Sequence, residues 1–546
     1  IMTRCIHCTR GVRFSTEVAG VTDMGALGRG ESMEITTYLE KALESELSGN
    51  VIDLCPVGAL TSKPYSFVSR PWELKKTETI DVMDAIGSNI RVDTRGGEVL
   101  RVLPRVNEDI NEEWISDKAR FSCDGLKRQR LDKPFVRKDG KLVPASWDEA
   151  LSVVADKMEQ ISPEAIAVLV GDQCEAESMF ALKCLAEKLG IENIDCRQDG
   201  AKINTDSRAS YLFNSTIAGI EDADAVLLIG TNPRWEAPVL NARIRKRWLE
   251  TRLPIALIGE EYDLTYDVDY LGNSASLLEQ ILRGEHSFSK MLAEAKRPML
   301  IVGMNALARA DGDVVLGLCR RIAEQFDLII EDKDDNESWN GFNVLHTAAS
   351  RVAGLDMKFV PKDRARYLED ILDDANNGII EMVYLMAADE IDMSRLGKAF
   401  VVYQGHHGDA GAHRADVILP GAAYTEKDGL YVNTEGRPQF AVRAVFPPGD
   451  AREDWRIVRA LSDVVGSALE FDTSEEMHER LSKAYKTFET IEVVQSSVLP
   501  DFGREGEIEQ APFDRGIKDF YMTDPISRAS KVMAECSEVF GNSKNA

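Results

Sequence analysis

Three cysteines near the start of the chain have the type and spacing to hold an iron–sulfur cluster. Cys5 and Cys8 stand in the segment RCIHCTRGVRF, and Cys55 follows much later in DLCPVGAL. A close pair of thiolates holds one side of such a cluster, and a remote cysteine followed by a proline, here Pro56, closes the other side. The pattern predicts that Cys5, Cys8 and Cys55 bind the iron of a [4Fe–4S] cluster.

A fourth thiolate is missing from this pattern. The spacing C-x-x-C-x-x-C would place a cysteine where Gly11 stands. Three explanations are open: a sequence error or a genuine variant, a labile or three-iron cluster, or a fourth ligand from another side chain. His7, between the two paired cysteines, is one candidate for that ligand, although a histidine beside a ligand more often points to solvent or backbone.

The elements around the cysteines are predicted from periodicity. Between the two ligand arms, the stretch EITTYLEKALESEL indicates an amphipathic helix that brings Cys55 back to Cys5 and Cys8, because its apolar residues recur at helical spacing: Ile35, Leu39, Ala42, Leu43 and Leu47. Further on, RVDTRGGEVLRVLP predicts a hairpin around Gly96 and Gly97. A small β-rich unit is therefore expected next.

An α/β pattern follows from about residue 132. Ser146 and Glu149 form an S-x-x-E box that predicts the start of a helix. Short apolar runs then alternate with amphipathic helices: AIAVLVG, AVLLIG, PIALIG, PMLIVG, MVYLMA and AFVVYQ. Strands buried on both faces have this composition, so the sequence predicts a doubly wound α/β core.

The charge and cysteine content narrow the function classes. The chain has 546 residues and a net charge of −27, which disfavours nucleic acid and anionic lipid as partners. Nine cysteines, an odd number at low density, fit a reducing compartment better than a disulfide framework. No apolar run reaches the roughly 20 residues of a membrane helix, so direct membrane insertion is not expected.

Several longer motifs carry a family resemblance: GRGE at residues 28–31, ELSGNVIDLCPVGALTSKP at 46–64, RPWELKKTETIDV at 70–82, GTNPRWEAPVLNARIRK at 230–246 and NTEGRPQ at 433–439. With these motifs the chain resembles the large iron–sulfur subunit of respiratory NADH:quinone oxidoreductase, complex I. In that family a [2Fe–2S] ferredoxin-like domain and a further cluster precede this point. The resemblance therefore implies a chain that lacks the N-terminal ferredoxin-like part, with any [2Fe–2S] cluster only in that part.

The resemblance also implies a domain organisation. Residues 1–70 would be a [4Fe–4S] cluster domain, and 71–131 a small β domain related to the cluster domain of molybdenum enzymes, with its cluster lost. Residues 132–450 would be a molybdopterin-oxidoreductase-like α/β core without metal, and 451–546 a C-terminal tail. The loss in the second unit is inferred because that family's four cysteine positions are occupied by hard oxygen ligands, Asp81, Asp84, Ser88 and Ser116.

Other candidate residues are weaker. Cys123 stands alone, and Cys196 and Asp199 lie near the place of the molybdenum ligand without a ligand motif. His406, His407, His413, Asp409 and Asp416 would be a possible metal set, but a structural or partner-contacting loop is the preferred interpretation. Molybdenum and pterin are not expected.

The resemblance implies an electron-relay subunit of the peripheral arm of complex I, passing electrons from NADH and flavin toward ubiquinone without independent activity. Its partners would be the flavin subunit and the quinone-side iron–sulfur subunits, on the cytoplasmic face of a bacterial inner membrane or the matrix face of the mitochondrial inner membrane. Two alternatives are a cluster-deficient assembly scaffold and an autonomous molybdopterin oxidoreductase. Iron content separates the scaffold from the relay, and a molybdenum assay tests the third hypothesis.

Overall fold

The computed structural model describes residues 2–37, 42–203, 205–330, 338–363, 366–495 and 501–541. The N-terminal unit contains two short helices, α1 (Arg10–Arg13) and α2 (Asn50–Leu54), and an antiparallel hairpin of β1 (Met24–Leu27) and β2 (Glu34–Thr37). Cys5 and Cys8 precede α1, and Cys55 directly follows α2.

The helix predicted between the two ligand arms is wrong at its start. Residues 34–37 form strand β2, in which Ile35 is buried and pairs with β1. The β-branched run Ile35, Thr36 and Thr37 favours this extended pairing over a helix. Leu39 lies outside the described residues, whereas Leu47 packs in the same small apolar cluster as Ile35.

The second unit is a three-stranded antiparallel sheet of β3 (Lys75–Ile80), β4 (Asn89–Arg95) and β5 (Glu98–Pro104), followed by helix α3 (Asp117–Phe121). The predicted hairpin is confirmed. Gly96 and Gly97 have φ of 61° and 83°, the left-handed backbone that a tight two-residue hairpin turn requires.

The first half of the core runs from strand β6 to strand β13. In chain order its elements are β6 (Phe135–Lys138), β7 (Lys141–Pro144), α4 (Trp147–Gln160), β8 (Ile166–Val170), α5 (Ala176–Leu189), β9 (Asn193–Asp195), β10 (Ala225–Ile229), α6 (Pro233–Glu236), α7 (Pro238–Thr251), β11 (Ile255–Ile258), β12 (Asp269–Gly272), α8 (Ser276–Leu282), α9 (Ser287–Glu294) and β13 (Pro298–Gly303). As predicted, Ser146 caps α4, accepting a hydrogen bond from the backbone N–H of Glu149.

The second half completes both sheets. Its elements are α10 (Met304–Ala308), α11 (Gly312–Gln325), β14 (Ile329–Ile330), β15 (Trp339–Asn340), β16 (Phe342–Leu345), α12 (Arg351–Asp356), α13 (Leu368–Asn376), β17 (Met382–Met386), β18 (Phe400–Gly405), α14 (Ala410–Arg414), β19 (Val417–Pro420), β20 (Gly429–Val432), β21 (Pro438–Ala441) and α15 (Asp454–Val464).

All six predicted buried runs are strands, but they belong to two sheets. One sheet has the order β7-β6-β19-β18-β17-β8-β9, and the other, wholly parallel, has the order β12-β11-β10-β13-β16. After β9 the chain leaves to build the second sheet and then returns with β17 beside β8. Composition identifies a strand buried on both faces, but it does not identify the strand's neighbours.

The C-terminal region packs back over the core. Helix α15 packs against α4 and α5, and α16 (Ser474–Ala484) also packs against α5. The last helices, α17 (Pro525–Ala529) and α18 (Lys531–Cys536), pack on residues 122–127 of the second unit. No helix within the described ranges is long and apolar enough to cross a membrane.

Candidate iron–sulfur site

The end of α2, which carries Cys55, is anchored to the second unit. The carboxylate of Asp117 accepts hydrogen bonds from the backbone N–H of Gly49 (2.6 Å) and from the hydroxyl of Ser48 (2.6 Å). The Asn50 amide donates to the Ile115 carbonyl at 2.8 Å. Because burial raises the pKa of Asp117 to about 6, the acceptor that holds this turn weakens as the pH falls.

Cys55 lies in a ring of backbone N–H groups. Its sulfur accepts a hydrogen bond from the N–H of Leu60 at 3.4 Å. Partial burial raises the pKa of the Cys55 thiol, but hydrogen bonds from the N–H groups of Leu60, Val57, Ala59 and Gly58 outweigh this effect and lower the pKa overall. The thiolate is the form that binds metal, so this turn favours the ligating state.

Cys5 and Cys8 lie on an unusual backbone turn. The N–H of His7 donates to the Cys5 sulfur at 3.4 Å. His7 and Thr9, on either side of Cys8, both have left-handed backbone, with φ of 52° and 58°. Non-glycine residues in this region cluster at ligand sites, where the surrounding structure must hold them. Cys5 is half-buried and Cys8 is exposed, as expected for a loop that wraps one side of a bound group.

Gly11 has room for a side chain. It lies in α1, and its backbone is outside the left-handed region. A Cβ atom added there would meet the Met24 Cε at 3.5 Å, the Leu60 Cδ1 at 3.6 Å and the Met24 Sδ at 3.6 Å, all ordinary van der Waals contacts. Because Leu60 also donates to the Cys55 sulfur, the structure places position 11 beside the Cys55 turn.

The donor set suits a cluster better than a single ion. Across the parts of the chain that the structure describes, no three His, Cys, Asp or Glu side chains are arranged to hold one metal ion. In a [4Fe–4S] cluster each thiolate binds a different iron, so its ligands surround the cluster without converging on one point. Soft thiolates with N–H donors to sulfur fit this group.

The oxygen residues of the second unit have structural surroundings. Ser116 caps α3 by accepting a hydrogen bond from the N–H of Ala119, and Asp84 accepts one from the N–H of Ile86. Asp81 is buried with no hydrogen-bond partner for either carboxylate oxygen among the described residues, and burial raises its pKa well above the ordinary value. Burial also raises the pKa of Cys123 to about 12, so its thiol stays protonated.

Sequence reasoning missed an acidic cleft of about 530 Å³ at the carboxyl ends of the strands. Asp172 and Gln173 follow β8, Glu236 follows β10, Thr347 follows β16 and Glu390 follows β17. The segment 516–524 of the C-terminal region covers the cleft and adds Asp519 and Asp524. Open α/β sheets take ligands at this edge.

The charge of this cleft opposes a phosphate-bearing ligand. Five carboxyl groups face two lysines, Lys118 and Lys518, within it. Burial raises the pKa of Glu236 and of Glu390 to about 7, so part of the negative charge persists at neutral pH. An anionic pterin nucleotide would be repelled.

The histidine loop is structural. The Nδ1 atoms of His406 and His407 lie 2.5 Å apart, and His407 Nε2 is 3.0 Å from the Gly125 carbonyl oxygen. Asp409 pairs with Arg528, and Asp416 lies near Arg137. These contacts leave the possible metal set dispersed and support the preferred interpretation of a structural loop.

His407 gives a pH-dependent contribution to stability. Burial, followed by the nearby Arg130 charge, lowers its pKa to about 4, below the ordinary 6.5. The folded state therefore keeps His407 neutral while the unfolded chain takes up a proton below pH 6.5. This contribution is fully present above pH 6.5 and is lost as the pH falls toward 4.

We expect His407→Gln, whose amide can still donate to Gly125, to remove this pH dependence. Between pH 6.5 and 4 the free energy of unfolding of the wild type should fall relative to the variant by about 2–3 kcal/mol. Urea unfolding of both proteins across this range measures the difference. A constant difference at all pH values would contradict a neutral buried His407.

Four family models match successive parts of the chain. They are "NADH-quinone oxidoreductase subunit 3, ferredoxin-like domain" at residues 1–61, "NADH-ubiquinone oxidoreductase NDSU1/NuoG-like, 4Fe-4S domain" at 74–124, "Molybdopterin oxidoreductase" at 130–464, and a C-terminal domain of the same NADH-ubiquinone oxidoreductase subunit at 488–536. The molybdopterin oxidoreductase model alone covers more than half of the chain.

Relatives that match along nearly the whole chain decide the family. The chain is 49% identical over 555 residues to the mitochondrial NADH-ubiquinone oxidoreductase 78 kDa subunit of Candida albicans, covering 99% of this chain and 75% of the relative. The chain belongs to this family of complex I subunits. It is also 49% identical over 537 residues to a subunit of the NADH-quinone oxidoreductase of Rickettsia felis, covering 98% of this chain and 77% of the relative.

Membership of the 78 kDa subunit family confirms the functional prediction: the chain is an electron-relay subunit of complex I, an NADH:quinone oxidoreductase. The fold is shared more widely. Acetylene hydratase from Pelobacter acetylenicus superposes with a TM-score of 0.52 at 12% identity, covering 72% of this chain and 69% of that one. This likeness supports the predicted molybdopterin-oxidoreductase-like core as a fold.

One expectation drawn from the family resemblance is wrong. The cysteine pattern predicts a chain that lacks the ferredoxin-like part of the family, but residues 1–61 themselves match a ferredoxin-like domain model. The C-x-x-C pair and the remote cysteine alone indicate a separate cluster domain. The small hairpin of β1 and β2 that accompanies them could not be recognised from the helical spacing.

Proposed function

We propose that Cys5, Cys8 and Cys55 hold an iron–sulfur cluster of the [4Fe–4S] type through which this subunit relays single electrons. The observation that carries the proposal is the Cys55 turn, where backbone N–H groups lower the pKa of the thiol. Gly11, beside that turn, leaves the set one thiolate short. When bound, the cluster supplies one-electron transfer between the flavin side and the quinone side of the complex.

The surrounding residues tune this site. The N–H groups directed at the Cys5 and Cys55 sulfurs stabilise negative charge on them, which favours the reduced state of a bound cluster. The apolar cluster of Phe14, Leu47 and Val51 packs behind the cysteines and excludes water on that side. A missing thiolate at position 11 removes one negative charge and raises the potential further.

We propose that the α/β core works without molybdenum or pterin. The acidic lining of the cleft and the cover by residues 516–524 support this proposal, as do Asp81, Asp84, Ser88 and Ser116 at the cysteine positions of the related cluster domain. Metal analysis of the purified chain should find no molybdenum or tungsten, and formate should reduce no dye. Stoichiometric molybdenum with bound pterin would instead support an autonomous oxidoreductase.

The proposed partners are the flavin subunit and the quinone-side iron–sulfur subunits of the hydrophilic arm. A cleft of about 610 Å³, lined by Cys55, Tyr65 and Arg101 among others, opens beside the cluster site. Close by in the chain, Phe67 and Trp72 are 94% and 80% exposed, as partner-binding aromatic residues are before assembly. The location we propose is the cytoplasmic face of a bacterial inner membrane or the matrix face of the mitochondrial inner membrane.

The domain division proposed is a cluster unit at 1–70, a β unit at 71–131, the α/β core at 132–450 and a C-terminal tail at 451–546. Helix α15, the first of the tail, packs on α4 and α5 of the core. The segment 516–524 covers the acidic cleft. The tail therefore closes the core as well as extending toward the β unit.

Gly11→Cys tests the missing ligand. The structure accepts a Cβ at this position without strain or clash, so the variant should fold normally. We expect it to hold a four-iron cluster that survives exposure to air better than that of the wild type, because all four irons would carry a thiolate. Iron and sulfide analysis with electron paramagnetic resonance (EPR) before and after air exposure measures this.

Gly11→Ala is the matched control, since it fills the same space without a sulfur and should leave cluster stability unchanged. If Gly11→Cys is no more stable than wild type, position 11 does not face an iron. If the anaerobically reconstituted wild type contains no iron at all, the cluster-deficient scaffold hypothesis is favoured.

A further inference from the structure

The side chain nearest to the missing ligand position carries a sulfur of its own. Of the three heavy atoms closest to a Cβ built on Gly11, two belong to Met24: its Cε at 3.5 Å and its Sδ at 3.6 Å. The Cβ direction of residue 11 is the direction from which a cysteine at this position would extend toward the cluster. The Met24 thioether therefore occupies the region that the absent cysteine side chain would enter.

Met24 is held in this place by the hairpin. It is the first residue of β1, it pairs with Thr37 of β2, and β1 packs against α1, which contains Gly11. The side chain is 6% exposed and belongs to the apolar cluster against which Cys5 and Leu60 pack. The sulfur is thus buried, close to the proposed ligand residues and fixed by the strand pairing.

Thioether sulfur is a soft ligand of the kind that iron–sulfur clusters accept. We propose that Met24 Sδ supplies the fourth ligand of the cluster in place of the cysteine absent at position 11. This inference rests on the proposed binding of the cluster by Cys5, Cys8 and Cys55. A thioether is neutral, so this ligand replaces a thiolate with the loss of one negative charge and leaves the cluster with a higher reduction potential.

His7 is the competing ligand, and the geometry disfavours it. His7 lies between Cys5 and Cys8 in the chain, and its backbone N–H is engaged with the Cys5 sulfur. None of the three atoms nearest to the Gly11 Cβ position belongs to His7. A second competing role for Met24 is packing, since methionine commonly fills irregular gaps in apolar cores.

The test compares wild type, Met24→Leu, His7→Ala and the distant control Met291→Leu, each reconstituted anaerobically with iron and sulfide. Met24→Leu retains the apolar volume but removes the sulfur. We expect it to lose the fourth iron on mild oxidation about tenfold faster or more, as the loss of metal-site interactions usually produces. EPR of the three-iron form measures this rate, and Mössbauer spectroscopy reports the ligand field of the fourth iron.

A double variant separates ligation from packing. In the Gly11→Cys background a thiolate replaces the thioether, so Met24→Leu should no longer change the rate of iron loss. An equal effect of Met24→Leu in both backgrounds would show packing and overturn the proposal, as would wild-type spectra and kinetics in Met24→Leu. If His7→Ala, and not Met24→Leu, releases the fourth iron, the ligand is His7.

Failure of the underlying function is recognised separately. Cys55→Ser in the same preparation must abolish the cluster if the three cysteines are its ligands. If Cys55→Ser leaves the cluster intact, the proposed function fails. If it abolishes the cluster while Met24→Leu has no effect, only the Met24 ligand is contradicted.

Discussion

Cys55→Ser will remove the iron–sulfur cluster from this chain. With Gly11 at the fourth position, the loss of Cys55 leaves only two cysteine ligands, Cys5 and Cys8, on one side of the site. A serine hydroxyl is a hard and weakly acidic ligand that does not replace a thiolate. We expect iron to fall from about 3–4 atoms per chain to below about 0.5 after anaerobic reconstitution.

Cys184→Ser is the matched control for this prediction. Cys184 is a half-buried cysteine on α5, and burial raises the pKa of its thiol to about 11. The control should retain its full iron content and visible absorption. Equal iron in Cys55→Ser and Cys184→Ser would exclude Cys55 as a ligand. The measurements are iron and sulfide per chain and the EPR spectrum of the reduced protein.

Lys427→Ala should destabilise the α/β core strongly. The Lys427 ammonium lies 2.5 Å from Glu175 and 2.7 Å from Asp454, and the three side chains are 5%, 1% and 6% exposed. Glu175 directly precedes α5 and Asp454 begins α15, so Lys427 connects two helices that pack on each other. Removing the cation leaves two buried carboxylates facing each other, at a cost of about 3–5 kcal/mol.

The same substitution at an exposed ion pair serves as the control. Lys138 pairs with Glu149, and their side chains are 53% and 40% exposed. Lys138→Ala should cost less than about 1 kcal/mol because solvent screens the pair. The midpoint of the first urea transition is compared for the two variants, since a chain with several units need not unfold in one step. Similar shifts would contradict the role assigned to Lys427.

The local elements are predictable because their signals are local. Gly96 and Gly97 fix a hairpin turn, Ser146 caps a helix, and continuous apolar runs form strands buried on both faces. The division of those strands between two sheets is not predictable, since it depends on which distant strand each one pairs with. Residues 34–37 differ from the prediction because their β-branched composition outweighs their helical spacing.

The candidate site divides in the same way. Cys5, Cys8, Cys55 and the gap at Gly11 follow from spacing alone. The contact between Gly11 and Met24 depends on the β1–β2 hairpin, and the N–H groups around Cys55 depend on the turn that follows it. The acidic cleft is assembled from the ends of four strands and a C-terminal segment. None of these contacts has a sequence signature.

The measurement that tests the relay most directly is freeze-quench EPR of the assembled complex after mixing with NADH. Complexes carrying wild-type or Cys55→Ser chain are compared, together with their rates of NADH:quinone reduction. We predict that the wild type shows a signal from the cluster on Cys5, Cys8 and Cys55 within the turnover time. The Cys55→Ser complex should lack this signal and lose most quinone reduction while keeping NADH oxidation by an artificial acceptor. A Cys55→Ser complex that assembles and reduces quinone at the wild-type rate would contradict the relay through this cluster.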